Sequence, residues 1–427
     1  MNNIFCAADI LLPSPDTDLQ KWAVLACDQF TSEGEYWQTA QSFINGANST
    51  LSLIFPEIYL GDENPDARIE KIHTSMEYCL QNVLTRSLHG FVYVERTTAS
   101  GMRPGLVGNV DLESYSYEKD AFPLVRPSEN TVVERIPPRL AVRRDAPLET
   151  PHIMMLLDDD KNSVIEPISG IKASLDKLYD FDLMLGGGHI TGYAITDAKM
   201  ISDIERRISA FACPEYFAKK YPHADASKPM AIAVGDGNHS LATAKAYWEE
   251  IKPTLTTDER QSHPARFCLV ELVNVHCPAL LIEPIHRVLY GADDSTILMV
   301  ANEFLEHVNG SLCPPAKGEQ VIHMLSEQSD SVAGILNPPA PLAVGTFEAF
   351  LKYYIETSHP ILKVDYIHDE ASVRALVKKG YIGVIMPPFA KSDLFRGVVE
   401  GGVLPKKTFS MGTAREKRYY LECRKIR

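Results

Sequence analysis

Met230 to Trp248 reads MAIAVGDGNHSLATAKAYW, and the order of residue types in it predicts a strand, a glycine turn and a helix. The apolar run Met230, Ala231, Ile232, Ala233, Val234 fits a buried strand. It breaks at Gly235-Asp236-Gly237, where glycine permits positive φ and close backbone approach. Asn238 is placed to cap a helix whose Leu241, Ala244, Trp248 and Ile251 make one buried stripe. Such a junction points backbone N–H groups and the positive end of a helix dipole into one small volume, suited to phosphate or carboxylate. Plain packing turns of this shape are common in α/β proteins. Asp236, Asn238, His239 and Ser240 nonetheless bring acid, amide, imidazole and hydroxyl where one cap would suffice. Gly235, Gly237 and Ser240 nearly spell G-x-G-x-x-G, but serine fills the third position and no acidic residue closes a second strand about twenty residues on, which argues against a Rossmann site.

Three other places carry candidate chemistry. Trp22 to Cys27 reads as a strand ending at Asp28, where a carboxylate serves either as a general base or as a cap for a helix starting at Thr31-Ser32-Glu33. Gly186, Gly187 and Gly188 precede His189, which permits close ligand approach beside an imidazole that titrates in a useful range; a glycine hairpin with an incidental histidine is the alternative. His286-Arg287 follows Pro284 and offers an anion and proton-transfer pair, or else a surface turn. Between Phe122 and Pro151 the chain is rich in proline and carries Arg126, Arg135, Arg139, Arg143 and Arg144, which reads as a crossover whose arginines pair with the chain's own carboxylates. Asp158-Asp159-Asp160 suggests a hairpin turn before a divalent-metal site, and His276-Cys277 is weak evidence for zinc.

GDGNHSLATA resembles the Asp-Gly-His-His-Arg signature of the DUF1015 family, and WAVLACDQFTSEGEYW, LMLGGGHITGY, IEPIHRVL, MPP and LPKKTF agree with it from about residue 20 to about 412. The signature is in turn similar to the phosphate-binding turn of the ParB/sulfiredoxin-like superfamily, which includes sulfiredoxins, CTP-binding partition proteins and free-serine kinases. Asp236, Gly237 and His239 match it, whereas Asn238 stands for the first histidine and Ser240 for the arginine that clamps phosphate. The resemblance implies a strand–glycine turn–helix core binding a phosphate-bearing small molecule through Gly235, Gly237, Asn238 and Ser240, with His286 and Arg287 in support. It implies catalytic roles for Asp28, Asp236 and His239, Mg²⁺ on Asp236, and a substrate pocket that includes Gly187, Gly188, His189 and Lys406. The activity implied is ATP- or ADP-dependent phosphoryl transfer to a small hydroxyl compound. A nucleotide- or metabolite-binding regulatory protein without turnover is the alternative, and nucleic-acid binding a more distant one.

At 427 residues the chain exceeds what one core usually holds, and the pattern predicts three α/β lobes, 1–120, 121–294 and 295–427. The last includes a βαβ unit from Ile361 to Met386, helices at Leu298–Val308 and Val321–Leu325, and a strand at Leu342–Phe347. A formal charge of −14, from 42 basic and 56 acidic residues, opposes nucleic acid and anionic membrane. No apolar run reaches the roughly 20 residues that span a bilayer, and the start MNNIFCAADILLP lacks a basic leader, so a cytoplasmic location is expected. Eight scattered cysteines read as buried thiols. The basic, aromatic tail from Ala414 reads as a closing strand with an exposed positive face.

Overall fold

The computed structural model describes residues 4–31, 33–61, 64–118, 121–388 and 390–427. Ser32 of the expected helix start, Met1 to Asn3 and the expected lobe boundary at residue 120 lie outside these. The chain is a mixed α/β protein divided into two compact units, Met1–Leu281 with Met411–Arg427, and Ile282–Ser410. No helix among the described residues is long and apolar enough to cross a membrane.

Ten strands make the main sheet of the first unit: β1 (Phe5–Cys6), β2 (Ala8–Leu12), β3 (Arg86–Thr98), β4 (Gly101–Asp111), β5 (Val125–Pro127), β6 (Met154–Leu157), β7 (Lys177–Asp182), β8 (His189–Ile195), β9 (Ile232–Asp236) and β10 (Phe267–Asn274). Their order is β5-β9-β6-β10-β4-β3-β8-β7, with β1 on β4 and β2 on β3. Pairs β5–β9 and β6–β10 are parallel and the rest antiparallel. Strands read as N-terminal and central lobes therefore share one sheet. Alternation along β3 separates its two faces, because successive side chains of a strand point opposite ways. Val92 and Val94 pack with Trp22, Trp37 and Met76 on one side, while Phe91 and Tyr93 pack with Phe5, Leu241 and Trp248 on the other. The helix Pro65–Asn82 starts with Asn64 accepting from the Ala67 N–H and proline in the first turn, and it buries Ile72 and Met76.

Several local expectations give way to tertiary context. Trp22 to Cys27 contributes only a two-residue strand at Val24–Leu25, because Asp18 caps a short helix, Leu19–Trp22, just before it. The proline-rich crossover contains a helix, Ile136–Arg144, since Pro137 and Pro138 fall in its first turn, where no N–H bond is lost. In the second unit Gln320–Leu325 is a strand and Ala343–Thr357 a helix, the reverse of the reading. Phe347, Phe350, Leu351 and Tyr354 form the buried helical stripe there, but a window ending at Phe347 contains too little of it to show the period. Strands Lys363–Ile367 and Ile382–Ile385 do not pair with each other. Each lies antiparallel to His286–Tyr290, which runs between them, so the helix Glu370–Val377 crosses over an intervening strand.

The tail is the largest departure. Arg418, Tyr419, Leu421, Glu422 and Ile426 are each no more than 1% exposed, so it is interior chain rather than a strand with a wet positive face. Tyr419–Tyr420 pairs with Val24–Leu25, Arg424–Lys425 with Leu148–Glu149, and Cys423 exchanges backbone bonds of 2.7 and 2.9 Å with Leu11. Arg418 meets Glu271 at 2.9 Å and bonds Glu422, Arg424 meets Glu149 at 2.6 Å, and Trp22 Nε1 donates to the Leu421 carbonyl at 2.9 Å. A buried charge left without its partner is costly. Arg418→Met is therefore expected to destabilise the protein by about 3–5 kcal/mol, read as a lower urea midpoint at unchanged slope.

Candidate functional site

β9 ends at Asp236, and Gly237, at φ +80°, turns the chain into the helix Asn238–Ile251. Asn238 is the first helical residue, not the cap expected of it. The cap is Gly237, so no side chain closes this helix start. Ser240 and Leu241 N–H both donate to the Gly237 carbonyl, at 3.0 and 3.1 Å. A side chain at Gly237 would press on Ile153, and one at Gly235 on Leu156 and Met411, so both glycines let the turn lie flush against its neighbours. The neighbouring parallel strand β5 ends level with the turn: Pro127 is in register with Val234, and the Ser128 N–H donates to the Val234 carbonyl at 3.3 Å. Further along that loop the Val132 N–H donates to His239 Nε2 at 3.2 Å, which makes this ring nitrogen an acceptor.

Polar atoms at these strand ends are buried without a hydrogen-bonding group. Among the described residues, Asp236 Oδ2, Asn238 Oδ1 and Ser128 Oγ have none. Buried polar atoms are rarely left so; Asn238 Oδ1 can only accept, and Asp236 Oδ2 can only accept while its carboxyl is ionised. Lys417 Nζ lies 3.5 Å from the other Asp236 oxygen, and both side chains are largely buried, at 10% and 17% exposed.

Asp28, His152, Asp236 and Lys417 form one electrostatic cluster. Burial pushes the Asp236 carboxyl above its ordinary range; Asp28 adds to that, and Lys417 and His152 oppose it. Asp28 responds in the other direction. Burial works against its charge, but His152, the Gln29 amide at 3.0 Å and Lys417 outweigh it and hold the carboxyl below the ordinary range. Two carboxyls facing the same imidazole and ammonium are thus driven apart, and their protons belong to the pair. Burial also lowers His152, with Arg139 adding to it and the two aspartates opposing, so the imidazole is neutral at neutral pH. His152 Nε2 sits 2.8 Å from Ser240 Oγ, and its ring meets Tyr420 edge-on at 5.2 Å. Beside His152 and Ser240 opens a cavity of about 150 Å³ that also takes in Cys27, Arg139 and Tyr420.

Asp28, Asp236, Asn238 and Ser240 thus come together around the turn, with Gly235 and Gly237 shaping it and His239 tied to the adjoining loop. His189 does not join them. It sits on β8, five strands from β9 in the sheet order, bonded to Asp180 and Asp182 at 2.7 Å each. Its glycines serve packing: Gly187 lies against the Tyr419 ring, and Gly188, at φ +81°, against the Thr97 carbonyl. His286, Arg287 and Lys406 belong to the second unit. Arg287 is wholly buried there, bonded to Glu348 at 2.9 Å and to the Ile285 carbonyl, and His286 Nδ1 accepts from the Met386 N–H. Arg287 is therefore a structural cation of that unit; Lys406 is exposed. His276 and Asp158 bond each other at 2.5 Å, and among the described residues no group of three or more His, Cys, Asp or Glu could hold a metal.

Sequence reasoning missed His152 and Lys417. Neither has a local signal, since His152 is a single histidine ahead of β6 and Lys417 is one of several cations in the tail. Pairing of β6 with β9 sets His152 beside the turn, and the tail's return into the first unit sets Lys417 there.

Fold and turn together define a mixed α/β protein whose uncapped helix start is flanked by buried acid, imidazole and ammonium. The chain belongs to the DUF1015 family, described as a protein of unknown function, which it matches over residues 10–425. No curated protein matches the sequence. Among solved structures, a free serine kinase mutant in complex with AMP is similar over 74% of this chain and 91% of its own, at 10% identity and a TM-score of 0.39. A conserved hypothetical protein from Pyrococcus furiosus covers 71% of this chain and 89% of its own, at 10% identity and 0.33. SbnI with a C-terminal truncation, from Staphylococcus aureus, covers 72% and 82%, at 10% and 0.36.

The depressed His152 has a measurable consequence. An unfolded imidazole takes its proton near pH 6.5, whereas the folded one resists it, so the folded state loses stability as pH falls through about 6.5. His152→Gln is expected to flatten the dependence of the thermal midpoint on pH between about 7 and 5, relative to the unsubstituted protein.

Proposed function

We propose that the turn from Gly235 to Ser240 holds the phosphates of ADP or ATP together with Mg²⁺, and that the protein transfers a phosphoryl group to a small hydroxyl compound. The observation carrying this reading is the pair of buried acceptor oxygens, Asp236 Oδ2 and Asn238 Oδ1, at a helix start with no side-chain cap. The helix start favours an anion, whereas the two oxygens favour a cation, and a metal-bearing phosphate supplies both. One carboxylate with neutral oxygens also fits Mg²⁺, whose remaining positions are commonly filled by phosphate and water. Asp236, Asn238 and Ser128 would hold the ion, which when bound neutralises phosphate charge.

The chain's own groups divide the remaining work. Backbone N–H groups of the first helical turn and the Lys417 ammonium bind and orient phosphate oxygens. The hydroxyl oxygen of the acceptor forms a bond to the terminal phosphorus as the bond from phosphorus to the leaving nucleotide oxygen breaks. The hydroxyl proton passes to His152, which is neutral beforehand, and ionised Asp28 stabilises the imidazolium that results.

Thermal shift with ADP or ATP, with and without Mg²⁺, tests the binding step. A ligand specific for the folded state adds about 2.7 kcal/mol at a hundredfold excess over Kd. A Mg²⁺-dependent shift is expected, lost in Asp236→Ala. A shift of equal size in that variant, or none with any phosphate ligand, would overturn the reading. Saturable binding with no phosphorylated product would leave a regulatory nucleotide-binding protein.

A further inference from the structure

The cavity beside His152 and Ser240 lies in the place an acceptor must occupy if the phosphotransferase reading holds, and its walls state what kind of molecule it takes. Its surface is mainly apolar, and Leu53, Ile54, Phe55, Met76, Val142 and Leu148 are among the residues that line it. Its charges are matched within the protein: Arg139 bonds Glu57, and Arg143 meets Glu149 at 2.6 Å. Arg139 also donates to the Arg135 carbonyl at 2.6 Å, and Glu149 takes Arg424 and the Leu269 N–H as well. Arg143 Nε is buried without a partner, but both acids of this lining, Glu57 and Glu149, are already matched, so nothing is left over to neutralise an ammonium, and burying that charge unpaired is strongly unfavourable. Beside the turn the cavity is lined by the His152 imidazole and the Ser240 hydroxyl, with Thr243 and Tyr420 adding further neutral groups, and this set matches a hydroxyl. An apolar cavity of about 150 Å³ accommodates a benzene-sized body.

From this we propose, building on the phosphotransferase reading, that the acceptor is an uncharged alcohol with an apolar body of about six carbons, not a zwitterionic amino acid. The hydroxyl sits against His152 and the body against Leu53, Ile54, Phe55 and Val142. Selection comes from the walls: removing apolar surface from water favours the alcohol, whereas a free amino acid must shed the hydration of two charges.

Benzyl alcohol and cyclohexanol serve as probes against L-serine and glycerol, in thermal shift on the full chain with and without ADP and Mg²⁺, followed by detection of the phosphate ester. Benzyl alcohol or cyclohexanol is expected to raise the midpoint while L-serine and glycerol do not. Leu60→Trp and Val142→Trp, at partly exposed positions lining the cavity, are expected to lose the alcohol shift and keep the nucleotide shift. Two sites are used so that one misfolded variant does not decide the matter, and the retained nucleotide shift reports folding. A shift with L-serine and none with the alcohols overturns the proposal, as does an alcohol shift that survives both tryptophans. An alcohol shift lost in both variants, without any nucleotide shift in the unsubstituted protein, supports the cavity's ligand class while removing the phosphotransferase reading.

Discussion

The ionic contacts of the last seventeen described residues hold the first unit together. Arg418 and Arg424 are almost wholly removed from solvent, and each is matched by a carboxylate from a distant part of the chain, Glu271 on β10 and Glu149 ahead of β6. Burial makes such pairs exacting: an ammonium or guanidinium in this interior is tolerable only where its counter-charge is already in place. The contribution is therefore to register as much as to stability. With Arg418 seated, the adjacent Lys417 lies at Asp236 and Tyr420 lies under His152, so the geometry of the turn is inherited from a network that touches no ligand.

The same constraint explains how acids and bases come to differ at the turn. Asp28 and Asp236 are chemically alike, and both are largely removed from water, yet one is held below the ordinary carboxylate range and the other above it. What separates them is company: Asp28 has His152 and Gln29, whereas Asp236 has Lys417 at a longer 3.5 Å and an oxygen facing no donor. An ionised carboxyl next to a neutral imidazole, with a second carboxyl in need of a cation, is a division of labour made by burial and placement.

Much of this was legible in the residues. Ile232 to Val234 alternate with nothing polar, two glycines follow, and Leu241, Ala244 and Trp248 keep helical spacing, so strand, turn and helix could be read directly, and all three side chains are buried as that spacing requires. Asp28 was singled out because it ends an apolar run, which proved to be only partly strand. Elements whose period exceeded the window were misread, as at Ala343–Thr357, and pairing between strands was illegible because register depends on partners far away in sequence, as with Lys363–Ile367 and Ile382–Ile385. His152 and Lys417 were out of reach for the same reason. A charge in a basic tail carries no mark showing that it will be buried against an aspartate 181 positions earlier, as Asp236 and Lys417 are.

The division of the first unit into two stretches has a consequence for its birth. Residues 282–410 form a compact unit from one continuous segment, but the first unit waits for 411–427 to supply Arg418 and Arg424. During synthesis Glu271 and Asp236 emerge well before Arg418 and Lys417, and the intervening segment has time to fold while the earlier sheet is still open. Like charges without partners disfavour premature closure, so completion of the sheet's interior becomes a late, long-range event in which the chain's own tail acts as the final ligand.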